Sequence, residues 1–247
     1  MNRVAVVTGA ASGIGLGVAR QFARDGYPVG LLDWDAEGVQ KATGELRQNG
    51  HSAVGVQVDV SDSRAVARAF DEVRSELGPV TILVTSAGID SFDSALDITP
   101  EKWERVLAVN LTGTFFCIQA ALPDMISSGW GRVVTVSSSA AQSGSPRMAH
   151  YAASKGGVIS LTKTLAREFA AHGITVNTIP PSLVDTPMAR KAEAAGLFPP
   201  VDTMAKSVPL GRAGTPDDIA SACSFLCSDG ASYITGQLIG VNGGFYI

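Results

Sequence analysis

Val4-Ala5-Val6-Val7-Thr8-Gly9-Ala10-Ala11-Ser12-Gly13-Ile14-Gly15 lies near the start of the chain and sets its architecture. The apolar run Val4–Val7 reads as a buried strand. Leu16-Gly17-Val18-Ala19-Arg20-Gln21-Phe22-Ala23 follows, with apolar residues at helical spacing. Strand, glycine turn and helix form the context that a dinucleotide-binding loop requires. Glycines let the backbone turn sharply and approach a pyrophosphate, and a helix N-terminus offers it free N–H groups. Gly9, Ser12, Gly13, Ile14 and Gly15 are therefore candidate cofactor contacts. A second run, Val29-Gly30-Leu31-Leu32, closes on Asp33, twenty residues after Gly13. A carboxylate there accepts hydrogen bonds from the adenosine ribose diol and repels a 2′-phosphate. Asp33 could instead cap the helix from Ala36 onward, but Asp35 also suits that task and leaves Asp33 for the ribose.

Outward from this unit, strand-like runs lie near residues 3–8, 28–33, 53–58, 80–85, 131–137, 174–179 and 237–241. Helical patterns fill the gaps, including 102–125 and 150–171. The alternation predicts an α/β fold of Rossmann type: a single doubly wound parallel β-sheet of about seven strands, with helices on both faces. Ligands of such sheets bind beyond the carboxyl ends of the strands. Gly9–Gly15, Asp33, Asp59, Ala87-Gly88, Ser138 and Pro181-Ser182 each follow a strand. Residues 185–210 break the rhythm with four prolines and the apolar Met188, Leu197, Phe198, Val201 and Met204. A long insertion beside an active site is read as a lid.

No linker, repeat or low-complexity stretch divides the 247 residues, which read as one domain, 1–247. Hydrophobic content is 45% with only 6% aromatic, so the core is expected to be aliphatic, as in buried parallel sheets. Net charge is −4 with both signs dispersed, which points to no nucleic-acid or membrane surface. No apolar run is expected to reach the ~20 residues of a membrane span. No signal peptide is expected, and three cysteines without ligand spacing fit a reduced, cytoplasmic protein. Cys223 and Cys227 read as packing residues, and no metal site is expected. His51, His150 and His172 are scattered; His150 reads as an entrance-lining or surface residue.

Tyr151 and Lys155 stand four positions apart in Tyr151-Ala152-Ala153-Ser154-Lys155. On a helix these positions share a face. A free tyrosine loses its proton only near pH ~10, too high for acid/base work at neutral pH. A lysine cation about 5 Å away, at an effective dielectric of ~20, favours the phenolate by about 3 kcal/mol, most of the lowering required. Ser138, beyond the apolar run Val133–Val136, can hold a substrate oxygen beside the phenol.

Together these residues resemble the short-chain dehydrogenase/reductase family, over essentially the whole chain. The resemblance implies that Ser138, Tyr151 and Lys155 form a catalytic triad and that Asn110 is a fourth catalytic residue, supporting a water relay. It implies adenine contacts from Asp59 and Val60. Further cofactor contacts are implied at Ser86, Ala87, Gly88, Pro181, Val184, Tyr151, Lys155 and, on the nicotinamide carboxamide, Thr186. It also implies a substrate flap at 185–210 and a homotetramer built on the helices 102–125 and 150–171. Two departures stand out. The family's Asn-Asn-Ala-Gly is Thr85-Ser86-Ala87-Gly88, where a local rearrangement is expected. Its Pro-Gly is Pro181-Ser182, preceded by Pro180, so the loop beside the nicotinamide is expected to run differently.

The implied activity is NAD-dependent interconversion of a secondary alcohol and a ketone. Asp33 is acidic, and Ser12 and Trp34 occupy positions where NADP-binding relatives often carry a cation. Ile89, Phe92, Met148, Leu183, Leu197 and Phe198 are expected to enclose a free hydrophobic substrate: alicyclic, aromatic or steroid-like. One alternative is an NADPH-dependent 3-oxoacyl-carrier-protein reductase. Resembling reductases of that kind place basic residues just before the fifth and sixth strands, where this chain has Ser127-Ser128-Gly129-Trp130 and Ala171-His172. A non-catalytic dinucleotide-sensing scaffold is the alternative of another class.

Overall fold

Side chains alternate along the first strand between two cores. The structure is a computed structural model that describes residues 3–246. In β1 (Val4–Thr8), Val4 and Val6 enter one hydrophobic cluster while Ala5 and Val7 enter the other. A strand buried on both faces belongs inside a parallel sheet. It is joined by β2 (Val29–Asp33), β3 (Ala53–Gln57), β4 (Val80–Thr85), β5 (Gly131–Val136) and β6 (Ile174–Ile179). The order is β3-β2-β1-β4-β5-β6, every pairing parallel. Val7 pairs with Leu31 on one side and Val84 on the other. The order reverses between β1 and β4, which places a crevice at their carboxyl ends.

Six strands form where about seven were expected. The segment 237–241 makes a backbone bridge to β6 at Thr178, which donates its N–H to the Gln237 carbonyl (2.9 Å) and accepts from Ile239 (2.9 Å), while the Gln237 N–H donates to the Asn177 side chain (3.1 Å). Gly236, at φ +71°, turns the chain immediately before this contact.

Helices α1 (Gly13–Arg24) and α2 (Ala36–Gln48) cover one face, and α3 (Ser63–Leu77) covers the other. In α3, Val66, Ala69, Phe70 and Val73 make the inward stripe, at the spacing of one helix face. The Asp35 side chain caps α2 through the Gly38 N–H (3.1 Å), as the sequence suggested. The expected helix 102–125 extends over Pro100–Ser128 and is offset midway. It comprises α4 (Pro100–Leu107), a π-turn (Ala108–Thr112) in which the Gly113 N–H reaches back to the Ala108 carbonyl, and α5 (Gly113–Ser128). By length and composition this rod could cross a bilayer, which corrects the expectation that no apolar run reaches that span. Here Cys117, Ile118, Ala121 and Met125 of α5 pack into the core, and Asp124 accepts from Arg74 at 2.8 Å.

After β5 come the short α6 (Ala140–Ser143) and the long α7 (Ala149–Phe169). The segment 185–210 folds into α8 (Pro187–Ala194) and α9 (Val201–Ala205) over a small cluster of Leu183, Val201 and Val208. Finally α10 (Pro216–Cys227) packs Ile219, Cys223 and Leu226 against the same core as α1.

Candidate active site

The carboxyl ends of the central strands open on a cleft of about 660 Å³. Every catalytic and cofactor residue nominated from the sequence lines it except Asn110. At its cofactor end the backbone comes very close to itself. A Cβ on Gly9 (φ +68°) would lie 2.9 Å from the Ala87 backbone, and one on Gly15 would collide with the Gly9 carbonyl. The first turn of α1 has no acidic residue and no side-chain cap from Ser12, so its amides are available to an anion. The Asp33 carboxylate accepts from the Ala11 N–H (2.9 Å) and the Asp35 N–H (3.0 Å). These bonds fix its orientation, and each oxygen keeps a lone pair for a ribose hydroxyl. A glycine cradle, free helix amides and a fixed carboxylate fit a nicotinamide dinucleotide.

Sequence reasoning placed no cation near the adenosine end, but Arg105 lines the cleft there. It is tied to Asp59 (3.2 Å) and to the Ser61 hydroxyl (3.0 Å). Burial pushes the Asp59 carboxyl up, but the Ser61 hydroxyl and amide and the Arg105 guanidinium outweigh it and hold it below its ordinary value.

At the other end, β5 delivers Ser138 and one face of α7 delivers Tyr151 and Lys155. The Ser138 hydroxyl accepts from the Ala140 N–H (3.1 Å) and faces the Tyr151 phenol. Lys155 is 4% exposed; its Nζ donates to the Val136 carbonyl (2.9 Å) and lies 5.9 Å from the Tyr151 ring centre. Burial pushes the Lys155 ammonium down to about 8. Burial also pushes the Tyr151 phenol up; Ser138 pulls it down, and the Asp90 carboxylate pushes it up again. The net shift is upward, opposite to the lowering expected from Lys155. That expectation counted attraction across a wet helix face, whereas both groups lose their water in this pocket.

Asn110 is fully buried within the π-turn. Its Oδ1 accepts from the Ile89 N–H (2.8 Å), and its Nδ2 donates to the Ile89 carbonyl (3.0 Å) and the Ser154 hydroxyl (3.1 Å). It sits behind Gly88, where a Cβ would lie 3.2 Å from Asn110 Oδ1 and 3.4 Å from Lys155 Nζ. Asn110 thus holds the wall of the pocket from behind.

At Thr85-Ser86 the bracing of the sheet comes from β1. The Thr8 hydroxyl accepts from the Ser86 and Ala87 N–H groups (3.1 Å each), while the buried Thr85 hydroxyl has no hydrogen-bond partner. Pro181 and Ser182 line the cleft without the left-handed backbone that glycine favours; among the described residues only Arg147 adopts it without being glycine.

Two expectations fail. His150 is fully buried, with Nε2 3.7 Å from Asp93 and neither ring nitrogen hydrogen-bonded. The loop that carries Asp93 lies against it. Leu197 does not line the cleft and is 41% exposed. Asp90 and Phe245 line the cleft and were missed, while Met188 and Met204 of the expected lid segment line it too. Asp90 belongs to no motif of its own; its one signal is that it follows the Gly88 turn at once.

A groove shaped for a dinucleotide and ending at a phenol is the arrangement of a nicotinamide-dependent oxidoreductase. Residues 9–246 match the family described as "Enoyl-(Acyl carrier protein) reductase". The chain is 38% identical over 248 residues to the 3-oxoacyl-[acyl-carrier-protein] reductase FabG of Staphylococcus epidermidis, covering 100% of both chains. It is 41% identical over 248 residues to the cis-4-hydroxycyclohexanecarboxylate dehydrogenase of Sinomonas cyclohexanicum, covering 99% of this chain and 96% of that one. The crystal structure of gox2181 is similar with a TM-score of 0.92 at 36% identity, over 99% of this chain and 95% of that one. The chain belongs to the short-chain dehydrogenase/reductase family.

Proposed function

We propose that this oxidoreductase uses NAD(H) to interconvert a free secondary alcohol and ketone on a bulky, largely apolar frame. The observation that carries the reading is one continuous cleft, with the Asp33 carboxylate at one end and Ser138, Tyr151 and Lys155 at the other. When bound, the nicotinamide supplies the hydride acceptor or donor. Ser138 donates a hydrogen bond to the substrate oxygen and stabilises its developing charge. In ketone reduction, Tyr151 gives its proton to that oxygen; its upward-shifted phenol stays protonated at neutral pH and is ready to do so. In alcohol oxidation the phenolate takes the hydroxyl proton. Lys155, buried at this end of the cleft and anchored on the Val136 carbonyl, would hold the ribose of the bound cofactor. Asn110 positions this end of the pocket from behind.

The NAD preference rests on Asp33 and on Trp34, which stand where a 2′-phosphate would need a cation. Arg105 is already neutralised by Asp59. The second reading, an NADPH-dependent reductase of carrier-linked 3-oxoacyl groups, is favoured by the full-length similarity to FabG. Against it, the segments 127–130 and 171–172 carry no lysine or arginine. They meet at the amino ends of β5 and β6, where the Gly131 N–H reaches the Gly173 carbonyl (3.4 Å), at the edge of the sheet opposite the cleft. The nearby Arg132 is 3% exposed, so it offers little to an acidic partner.

Comparing kcat/KM for bulky cyclic and aryl ketones with that for carrier-linked acetoacetate, each with NADH and NADPH, tests the reading. The expected result is at least about tenfold preference for NADH, the worth of one charge-assisted hydrogen bond, and faster turnover of free ketones. A preference for NADPH with the carrier-linked substrate would establish the second reading.

A further inference from the structure

Asp90 lines the same cleft as Tyr151, and its charge is felt by the Tyr151 phenol. Among the described residues, no other side chain hydrogen-bonds or ion-pairs with its carboxylate; the backbone N–H of Asp90 itself is its one donor. Burial pushes this carboxyl up, and Lys191 on α8 pulls it down only through its distant charge. Three residues on, Asp93 shows the contrast. It accepts from the Ser91 hydroxyl (2.6 Å) and Lys102 (2.5 Å), and it is held below its ordinary value by them.

The segment carrying Asp90 is clamped on both sides. Ile89 is bonded through its N–H and carbonyl to buried Asn110. The Asp93 N–H donates to the Arg147 carbonyl (2.9 Å), and the Arg147 guanidinium donates to the Phe92 carbonyl (3.1 Å). Arg147 holds this contact at φ 65°, a conformation that costs a non-glycine residue energy. The apolar side chains that line the same cleft include Phe92, Met148, Leu183, Met188, Phe198 and Met204. A clamped, half-buried carboxylate without a side-chain donor, in a cleft with a largely apolar lining, is the kind of group that orients a ligand.

We propose that Asp90 is a specificity-determining residue that accepts a hydrogen bond from a second hydroxyl of the substrate. The favoured substrates are then hydroxyketones and diols on an apolar frame. This rests on the free-ketone reading given above and narrows its substrate class.

The test is kcat/KM with NADH for cyclohexanone and for 2-, 3- and 4-hydroxycyclohexanone, on the wild type, Asp90→Asn and Asp90→Ala. NADH binding, followed by fluorescence, verifies that the variants keep their fold. The wild type should prefer at least one hydroxyketone over cyclohexanone by about tenfold or more, the discrimination available from a charge-assisted hydrogen bond. Asp90→Ala should abolish that preference, read as the ratio of kcat/KM for the hydroxyketone to that for cyclohexanone within the same variant, and Asp90→Asn should fall between. A wild type that turns over all four ketones without preference overturns the role of Asp90 alone. So does a preference that survives in Asp90→Ala. An equal loss on every ketone, the pattern expected if Asp90 serves only to pair with Lys191, overturns it too. No turnover of any of the four with NADH or NADPH removes the free-ketone reading, and the role of Asp90 with it.

Discussion

Tyr151 is shifted upward by burial and by Asp90, and this has a direction in pH. Oxidation needs the phenolate, so its rate should rise with pH toward the Tyr151 pKa; reduction needs the phenol and should fall there. Removing the Asp90 charge lowers that pKa, so the rising limb of the oxidation profile in Asp90→Asn should move to lower pH. Ser138 and Lys155 face the phenol in both forms and do not account for such a shift. An unmoved limb would show that the Asp90 field does not reach the phenol. Most of the site was legible at this scale. Tyr151, Lys155, Ser138, Asp33 and the glycines declare themselves by chemistry and spacing near strand ends. Asp90 and Arg105 reach the cleft from a loop and a helix that carry no motif. His150 was misread because helix geometry gives the direction of a side chain but not what covers it.

Among elements, the lid segment shows how one side chain can organise a stretch that periodicity left open. The Arg190 guanidinium donates to Asp185 through two bonds (2.8 Å each), to Glu193 (3.1 Å) and to Asp202 (3.0 Å). It thereby joins the strand exit to α8 and α9. These groups are 26–83% exposed, so global stability should change little in Arg190→Ala. The segment's ordering over the cleft should suffer more. We expect KM for a bulky ketone to rise severalfold with the melting temperature nearly unchanged; steady-state kinetics beside a thermal melt checks this. An unchanged KM would remove Arg190 from the lid's function. Strand and helix positions were legible because both core clusters impose strict periods. The seventh strand was not, because the run 237–241 reads as a strand while its tertiary context allows it one pairing, at Thr178. The π-turn was equally hidden, since Ala108–Thr112 continues the helical pattern and differs only in its hydrogen-bond offset.

Over the whole molecule, one sheet separates two aliphatic cores and carries the chemistry on its carboxyl edge. Phe70 of α3 is fully buried in the core and does not line the cleft. Phe70→Ala should cost about 3–5 kcal/mol in denaturant unfolding while sparing the geometry of the cleft. A loss below ~1 kcal/mol would mean that this core is looser than its packing indicates. The central claim is that a phenol at the end of a dinucleotide groove moves the proton while hydride passes to or from the nicotinamide. Turnover and NADH affinity measured on Tyr151→Phe test it most directly, because that change removes one hydroxyl and leaves every cofactor-cradle residue in place. The account predicts a fall in kcat of about 10²–10⁴-fold with NADH binding close to wild type. Retention of a tenth or more of wild-type turnover would contradict it.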